Sequence, residues 1–246
     1  MLQGLQDLVK PGGIIVATAT PAIGLLATSL RVLLGLRLLK ESMALAERVE
    51  KLLEAFGPHL EKLDNMSRNK ADWVIDNMLN PAALTEVISP PELLDTMSGT
   101  HLYSTYPQFL TSWDWYKSMY GDSMDLRMKF MGQYHALCHN FVSTVSEGTC
   151  ENPESNRLLE SSCNDVIKRI IKLQRGSESR IDGEVLNLLE VVKSHIPKSE
   201  GLVLMSIDEF VSAYTQEEVT PKDIAEMTEF SKWFGREVLY MSFIRI

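Results

Sequence analysis

The sequence predicts an all-α fold: an irregular multi-helix bundle organised around one long N-terminal helix, with at most one or two short strands. Two observations predict this class. The stretch from about Pro21 to Phe56 begins as an apolar run and contains no helix breaker. Capping pairs with proline, such as Asn80-Pro81 and Thr220-Pro221, then recur along the chain. No fixed-period repeat stands out, which argues against a helical solenoid.

The long helix is predicted to begin at Thr20-Pro21, which combines an N-cap residue with a proline in the first turn, where its missing N–H costs no hydrogen bond. The preceding segment, IIVATAT, is rich in β-branched residues and can be extended. No breaker follows until Gly57-Pro58. The predicted helix therefore has about 36 residues and a length of about 54 Å.

The first half of this helix is apolar on nearly every side, which indicates burial all round, in protein or in lipid. Two interpretations stay open. The helix is either the centre of a soluble bundle or an oligomer contact, or it contacts a membrane with its basic side chains at the headgroups. Arg31 disfavours a clean membrane span. The residues predicted to contact membrane or a partner are Ile14, Ile15, Ile23, Leu25, Leu26, Leu30, Arg31, Arg37 and Lys40.

The second half of the helix has a one-sided apolar stripe formed by Met43, Val49, Leu53 and Phe56. Such a stripe needs a partner helix, so we expect a homo-oligomer contact here. On this hypothesis Leu53→Glu or Phe56→Glu releases monomers. The alternative is that the chain's own shorter helices cover the stripe, and then the same changes unfold the protein.

The shorter helices are predicted from their caps. Asn69, Ser89, Asp182 and Thr220 each stand where a helix begins. The LVLM segment is predicted as a brief strand, and Ser206 with Glu209 as a capping box for a helix that starts at Ile207. The apolar tail VLYMSFIRI is open to either structure, and we expect the core or a neighbour to cover it.

The chain divides into three regions that can also form one domain. These are an apolar N-terminal helical region (1–97), an aromatic-rich helical core (98–176) and a C-terminal helical region (177–246). The central region contains Tyr106, Phe109, Trp113, Tyr116 and Tyr120, whose spacing places them on one helix face. Few basic residues lie between them, so we interpret this face as core or interface and not as a base-stacking platform.

Charge restricts the partners of this 246-residue chain. Its net charge of −9 makes nucleic acid an unlikely partner, because phosphate binding requires basic surface. The first 40 residues carry +3, which leaves −12 for the remainder. A basic, apolar N-terminus on an acidic body suits an anionic membrane surface. The three cysteines form no CxxC pair and no convincing signal peptide is present, so we expect a reducing, intracellular location.

One group of residues has metal-ligand chemistry: His135 and His139, four residues apart on a helix, with Cys138, Cys150 and Cys163 close by in the sequence. Of these cysteines, Cys150 and Cys163 are the expected thiolate ligands. The spacing is poor for a structural zinc site, because cysteine ligands usually come as close pairs. We therefore expect no cofactor and no stoichiometric metal. The sequence contains no GxGxxG, GxxxxGK[ST], GxSxG or HExxH motif, so no catalytic residue is assigned.

These observations favour a non-enzymatic helical structural or interaction protein that self-associates and contacts membrane through its N-terminal segment. The alternative is a soluble all-α enzyme, or a zinc-stabilised domain, with a site near His135 and His139.

Overall fold

The computed structural model describes residues 2–63, 66–85, 87–109, 126–148, 152–176 and 181–246. The α-helices are α1 (Leu2–Leu8), α2 (Ala22–Leu38), α3 (Leu45–Leu60), α4 (Lys70–Val74), α5 (Pro90–Thr96), α6 (Leu126–Leu137), α7 (Pro153–Gly176), α8 (Gly183–His195), α9 (Gly201–Tyr214) and α10 (Pro221–Ala225). The strands are β1 (Ile14–Ala19), β2 (Thr100–Tyr106) and β3 (Leu239–Arg245). A π-helical turn covers Ile75–Leu79, and 3-10 turns cover Cys138–Val142 and Phe230–Lys232. The fold is mostly helical, as predicted, but its strand content was underestimated.

The prediction of one long helix from Pro21 to Phe56 is wrong, because a turn separates α2 from α3. Side chains of α3 stabilise this turn. Arg48 donates from Nε to the carbonyl oxygen of Met43 at 3.0 Å, and Glu47 accepts the backbone N–H of Ala44 at 2.9 Å. Neither Glu47 nor Arg48 is a helix-breaking residue, so no simple sequence signal marks the interruption between α2 and α3. Conversely, Pro58 lies inside α3, which ends two residues after it.

The helix α2 is the centre of the molecule. Most of its side chains are buried on all sides by the chain's own helices, chiefly α7. Of the residues predicted to contact membrane or a partner, Ile23, Leu25, Leu26, Leu30 and Arg31 are buried in this core, together with Ile15 of β1. In this fold these six side chains are covered mainly by other parts of the same chain. Ile14 and Lys40 are exposed, and Arg37 is half-buried.

The predicted oligomer stripe on α3 faces the chain's own core at its C-terminal end. Phe56 is fully buried, and its ring packs edge-on against His59 with centroids 5.5 Å apart. Leu53 is partly buried against the core, and Met43 and Val49 are half-buried. For Phe56 the structure therefore corresponds to the alternative, in which the chain's own elements cover the stripe. No helix among the described residues is long and apolar enough to span a membrane.

The sheet joins three distant segments in the order β1-β3-β2, and both pairs are antiparallel. The C-terminal strand β3 lies in the middle, with Ile14 opposite Ile244 and His101 also opposite Ile244. Alternate residues of each strand face the core, as a half-buried sheet requires. Leu239, Met241 and Phe243 are buried, so the apolar C-terminal tail is covered by the core, one of the two outcomes expected for it.

The aromatic stripe is not a helix at its start, because residues 100–106 form β2. The sequence of this strand, THLYSTY, is rich in β-branched and aromatic residues, which favours extended structure. Phe109 packs between Phe130 and Phe141, with ring centroids 5.7 and 5.9 Å away, so it belongs to the core. Trp113, Tyr116 and Tyr120 lie outside the described residues. The three strands come from the three predicted regions and share one sheet.

A buried histidine of α3, His59, contacts α10. Nε2 of His59 donates to the carbonyl oxygen of Ile224 at 2.8 Å. Burial, and the nearby positive charge of Arg31, lower the pKa of His59 to about 3. In the unfolded chain the pKa is 6.5, so the unfolded state binds one more proton between these two values.

We expect this histidine to make the protein sensitive to acid. The stability that neutral His59 contributes is complete above pH 6.5 and is lost as pH falls towards about 3, with a slope of about 1.4 kcal/mol per pH unit. His59→Gln, which keeps a donor for Ile224, should remove this slope between about pH 6.5 and pH 5. Urea unfolding at several pH values measures it, with His195→Gln as the control. Equal slopes in wild type and His59→Gln would contradict the assignment.

Candidate functional site

A polar cluster lies where the end of α6 meets the middle of α7. His135 lies in the last turn of α6, and Cys138 begins the 3-10 turn that follows it. Glu160 comes from α7, whose apolar stripe packs against the core. One ring nitrogen of His135, Sγ of Cys138 and a carboxylate oxygen of Glu160 all lie within 4.8 Å of one another.

Hydrogen bonds fix the surroundings of this cluster. The hydroxyl of Tyr134 donates to Glu160 at 2.6 Å. Nδ2 of Asn156 donates to the carbonyl oxygens of His135 at 2.8 Å and Ala136 at 3.1 Å, which ties the last turn of α6 to α7. Nδ1 of His135 is buried and has no hydrogen-bond partner among the described residues. Hydrogen bonds therefore hold the residues around the cluster, and Nδ1 of His135 remains without a partner among the described residues.

Burial controls the protonation of these groups. It raises the pKa of Glu160, and it raises the pKa of the Cys138 thiol far above its ordinary value, with Glu160 as a second cause. Burial, aided by Arg157, lowers the pKa of His135. At neutral pH the thiol is therefore protonated and the imidazole is neutral. A thiol in this state is not an activated nucleophile, so the geometry does not favour cysteine-based catalysis.

Glu160 also borders an open groove of about 470 Å³ between α7 and the N-terminal parts of α2 and α5. Leu25, Leu84 and Ile167 form an apolar floor, and Lys168 lies on its rim. The volume is within the range of small-molecule pockets. The groove therefore gives Glu160 contact with the exterior.

The structure only partly assembles the predicted zinc ligands. His135 belongs to the cluster, whereas Nδ1 of His139 lies 3.1 Å from Nδ2 of Asn156 and is not among the clustered donor atoms. Cys163 is buried one turn beyond Glu160, outside the group of three. Cys150 lies outside the described residues. The sequence placed Cys138 beside the candidate ligands but did not assign it as one, and it missed Glu160, for which no local signal exists.

A second feature is the free edge of β1. Arg245 donates its N–H to the carbonyl oxygen of Gly13 at 3.0 Å. Because hydrogen-bonding direction alternates along an antiparallel strand, the backbone groups of Ile14, Val16 and Thr18 point away from β3. The described residues include no backbone hydrogen bond from these three to any further segment. Ile14 is 58% and Val16 60% exposed, so the sheet face that carries these side chains is open to solvent. The open part of the edge ends at Thr18, because the N–H of Thr20 donates to the carbonyl oxygen of Ile88 at 2.9 Å.

The two edges of the sheet differ in their protection. The β2 edge carries an irregularity between Leu102 and Ser104 and is followed by Pro107. Bulges and prolines are the devices that usually keep sheet edges from pairing. The β1 sequence, IIVATA, has no charge, no proline and an uninterrupted register with β3. Of the two edges, β1 is therefore the one suited to pair with another strand.

The chain matches no protein-family model, no curated protein and no solved structure. Its function is therefore inferred from the cluster and the free edge themselves.

Proposed function

We propose that the protein is a non-enzymatic interaction protein that forms a homodimer by pairing β1 with β1 of a second copy. The observation that carries this proposal is the unprotected edge of β1. A sheet edge with unpaired N–H and C=O groups is a ready template for another strand. The proposal keeps the self-association expected from the sequence and moves the contact from α3 to β1.

The edge is self-complementary. Centring the two-fold axis on Val16 places Val16 opposite its own copy, and Ile14 opposite Thr18 in both directions. Each of these three pairs exchanges two hydrogen bonds, so about six backbone hydrogen bonds form. The product is one six-stranded antiparallel sheet with β1 of each copy at its centre.

A second copy fits this edge better than a charged partner does. The protein carries a net charge of −9, so two copies repel each other over most of their surfaces. The exposed side chains of β1 are Ile14, Val16 and Thr18, none of which is charged. Tyr240 of β3 extends the same uncharged face and is 49% exposed. Repulsion between copies is therefore least where β1 meets β1.

The expected affinity is modest. Six net hydrogen bonds contribute about 1 kcal/mol each, to which burial of two apolar side chains adds a few kcal/mol. Association costs at least about 4 kcal/mol in lost translation and rotation. The sum is about 5–8 kcal/mol in favour of the dimer, which corresponds to a dissociation constant between about 1 μM and 0.2 mM. Membrane contact is not part of the proposal, because the apolar surface of α2 lies inside the molecule.

We predict that Val16→Lys converts the dimer to a monomer. The substitution places two ammonium groups opposite each other at the two-fold axis, where like charges destabilise strand pairing. Val16 is exposed in the single chain, so the fold itself should tolerate the change. Sedimentation velocity over a concentration series measures the effect.

The matched control is Tyr103→Lys. Tyr103 is 61% exposed and lies on β2, at the opposite edge of the sheet, so the β1 pairing should survive. A monomeric wild type at about 1 mM, above the expected dissociation constant, would contradict the proposal. Dissociation of the dimer by both Val16→Lys and Tyr103→Lys would also contradict the proposal, because it would indicate that the copies pack through the sheet face and not through the β1 edge.

A further inference from the structure

We infer that His135, Cys138 and Glu160 form a binding site for a divalent zinc-class cation that links α6 to α7. The inference is independent of the dimer proposal, because the site and the β1 edge share no residue. It also differs from the sequence-based zinc hypothesis, since of the four ligands expected there only His135 is retained.

The donor set selects the metal. A thiolate and an imidazole favour Zn²⁺ over Mg²⁺ and Ca²⁺, which prefer oxygen ligands, and a carboxylate is an accepted third ligand. In a tetrahedral zinc site with bonds of 2.0–2.3 Å, neighbouring ligand atoms are about 3.3–3.8 Å apart. The three donor atoms already lie within 4.8 Å of one another. Side-chain shifts of about 1 Å therefore suffice to close the site.

The surroundings provide the outer support that a metal site needs. The Tyr134 hydroxyl holds one oxygen of Glu160, which fixes the orientation of the carboxylate. Asn156 holds the backbone of His135 and Ala136, so the end of α6 stays in register with α7. Nδ1 of His135 is buried and has no hydrogen-bond partner among the described residues. A metal ion bound at this nitrogen would supply a partner.

Charge balances at the site. When Zn²⁺ binds, the S–H bond of Cys138 breaks, the proton leaves to solvent and a Zn–S bond forms. The thiolate and the Glu160 carboxylate then neutralise the two positive charges of the ion, and His135 binds as the neutral imidazole. Three protein ligands leave one coordination position, which water can fill from the groove that Glu160 borders.

The test is a titration of the full-length protein with Co²⁺, a spectroscopic substitute for zinc, followed by displacement with Zn²⁺. We expect about one equivalent of Co²⁺ to bind and to give a thiolate-to-cobalt charge-transfer band in the near ultraviolet. Cys138→Ser should abolish the band, and Glu160→Gln should weaken binding about 10- to 100-fold. The controls Cys163→Ala and His195→Gln should bind as wild type does.

A protein without a charge-transfer band at saturating Co²⁺ would overturn the inference, and this measurement on the wild type does not depend on how the variants fold. Loss of the band in Cys163→Ala but not in Cys138→Ser would also overturn the ligand assignment.

Discussion

Substitution of Arg31 by alanine is expected to lower the free energy of unfolding by about 3–5 kcal/mol, because it removes a buried charged side chain together with its hydrogen bonds to backbone carbonyl oxygens. Arg31 is fully buried in α2. Its guanidinium donates to the carbonyl oxygens of Phe230 at 2.9 Å and Trp233 at 2.8 Å, and lies 3.9 Å from the ring centroid of Phe234. One side chain thus holds the segment that leads into β3 against the central helix.

The carboxylate of Glu237 would also lose a nearby positive charge in this variant. Burial raises the pKa of Glu237, whereas its bond with Thr28 and the charge of Arg31 oppose this rise. Arg31→Ala removes the charge and the guanidinium donor to the buried carbonyl oxygen of Trp233, whereas the carbonyl oxygen of Phe230 keeps the backbone N–H of Trp233 at 3.2 Å. Arg31→Lys keeps the charge but loses the planar fork, so we expect an intermediate loss.

Urea unfolding of Arg31→Ala, Arg31→Lys and Arg37→Ala measures this network. Arg37 is the matched control, because it also bonds to backbone carbonyl oxygens, at Gln216 and Glu217, but at the surface. Its loss should cost about 1 kcal/mol or less. A smaller effect for Arg31→Ala than for Arg37→Ala would show that the buried network contributes little to stability.

Gly24→Ala is the second change with a large expected effect, about 3 kcal/mol or more of lost stability. A Cβ atom at Gly24 would overlap the carbonyl oxygen of Arg236 and lie 2.8 Å from its carbonyl carbon. A Cβ atom at Gly235 would in turn overlap the carbonyl oxygen of Gly24. The two glycines therefore let the backbone of α2 touch the segment before β3, and backbone atoms cannot move aside as side chains do.

Gly132→Ala is the matched control for this contact. Gly132 is an exposed residue inside α6, and a Cβ atom there meets nothing within 4 Å. Alanine favours helix over glycine, so this variant should be neutral or more stable by up to about 1 kcal/mol. Thermal unfolding compares the two, and a melting temperature of Gly24→Ala equal to that of Gly132→Ala would be inconsistent with the close backbone approach.

Four of the helix starts were predictable because their signals are local, whereas residues 81–85, after Asn80-Pro81, form a turn and not the predicted helix. Side chains of Asn69, Ser89, Asp182 and Thr220 accept backbone N–H groups at the first turns of α4, α5, α8 and α10, as their sequence positions indicate. The capping box predicted at Ser206 and Glu209 is wrong, because α9 already begins at Gly201 and includes the LVLM segment predicted as a strand. Glu209 instead accepts the backbone N–H groups of Thr228, Glu229 and Phe230.

The sheet was not predictable from local pattern, since its pairs are separated by most of the chain. Ile14 lies opposite Ile244, and nothing in either segment identifies the other. The same limit applies to the proposed metal site. The spacing of His135 and Cys138 is visible in the sequence, whereas Glu160 joins them only through the packing of α7 on α6. Local sequence patterns therefore identify single helices, whereas long-range packing determines the exposed edge of β1 and the cluster of His135, Cys138 and Glu160.

The pairing of β1 with β1 is tested most directly by a cysteine at the proposed two-fold axis. In a hydrogen-bonded antiparallel pair the Cα atoms are about 5.5 Å apart, a separation that a disulfide bridges well. Val16→Cys should therefore form a covalent dimer under mild oxidation. Thr18→Cys, which faces Ile14 of the second copy, should remain at the wild-type level. A Val16→Cys protein that cross-links no more than wild type would contradict the dimer.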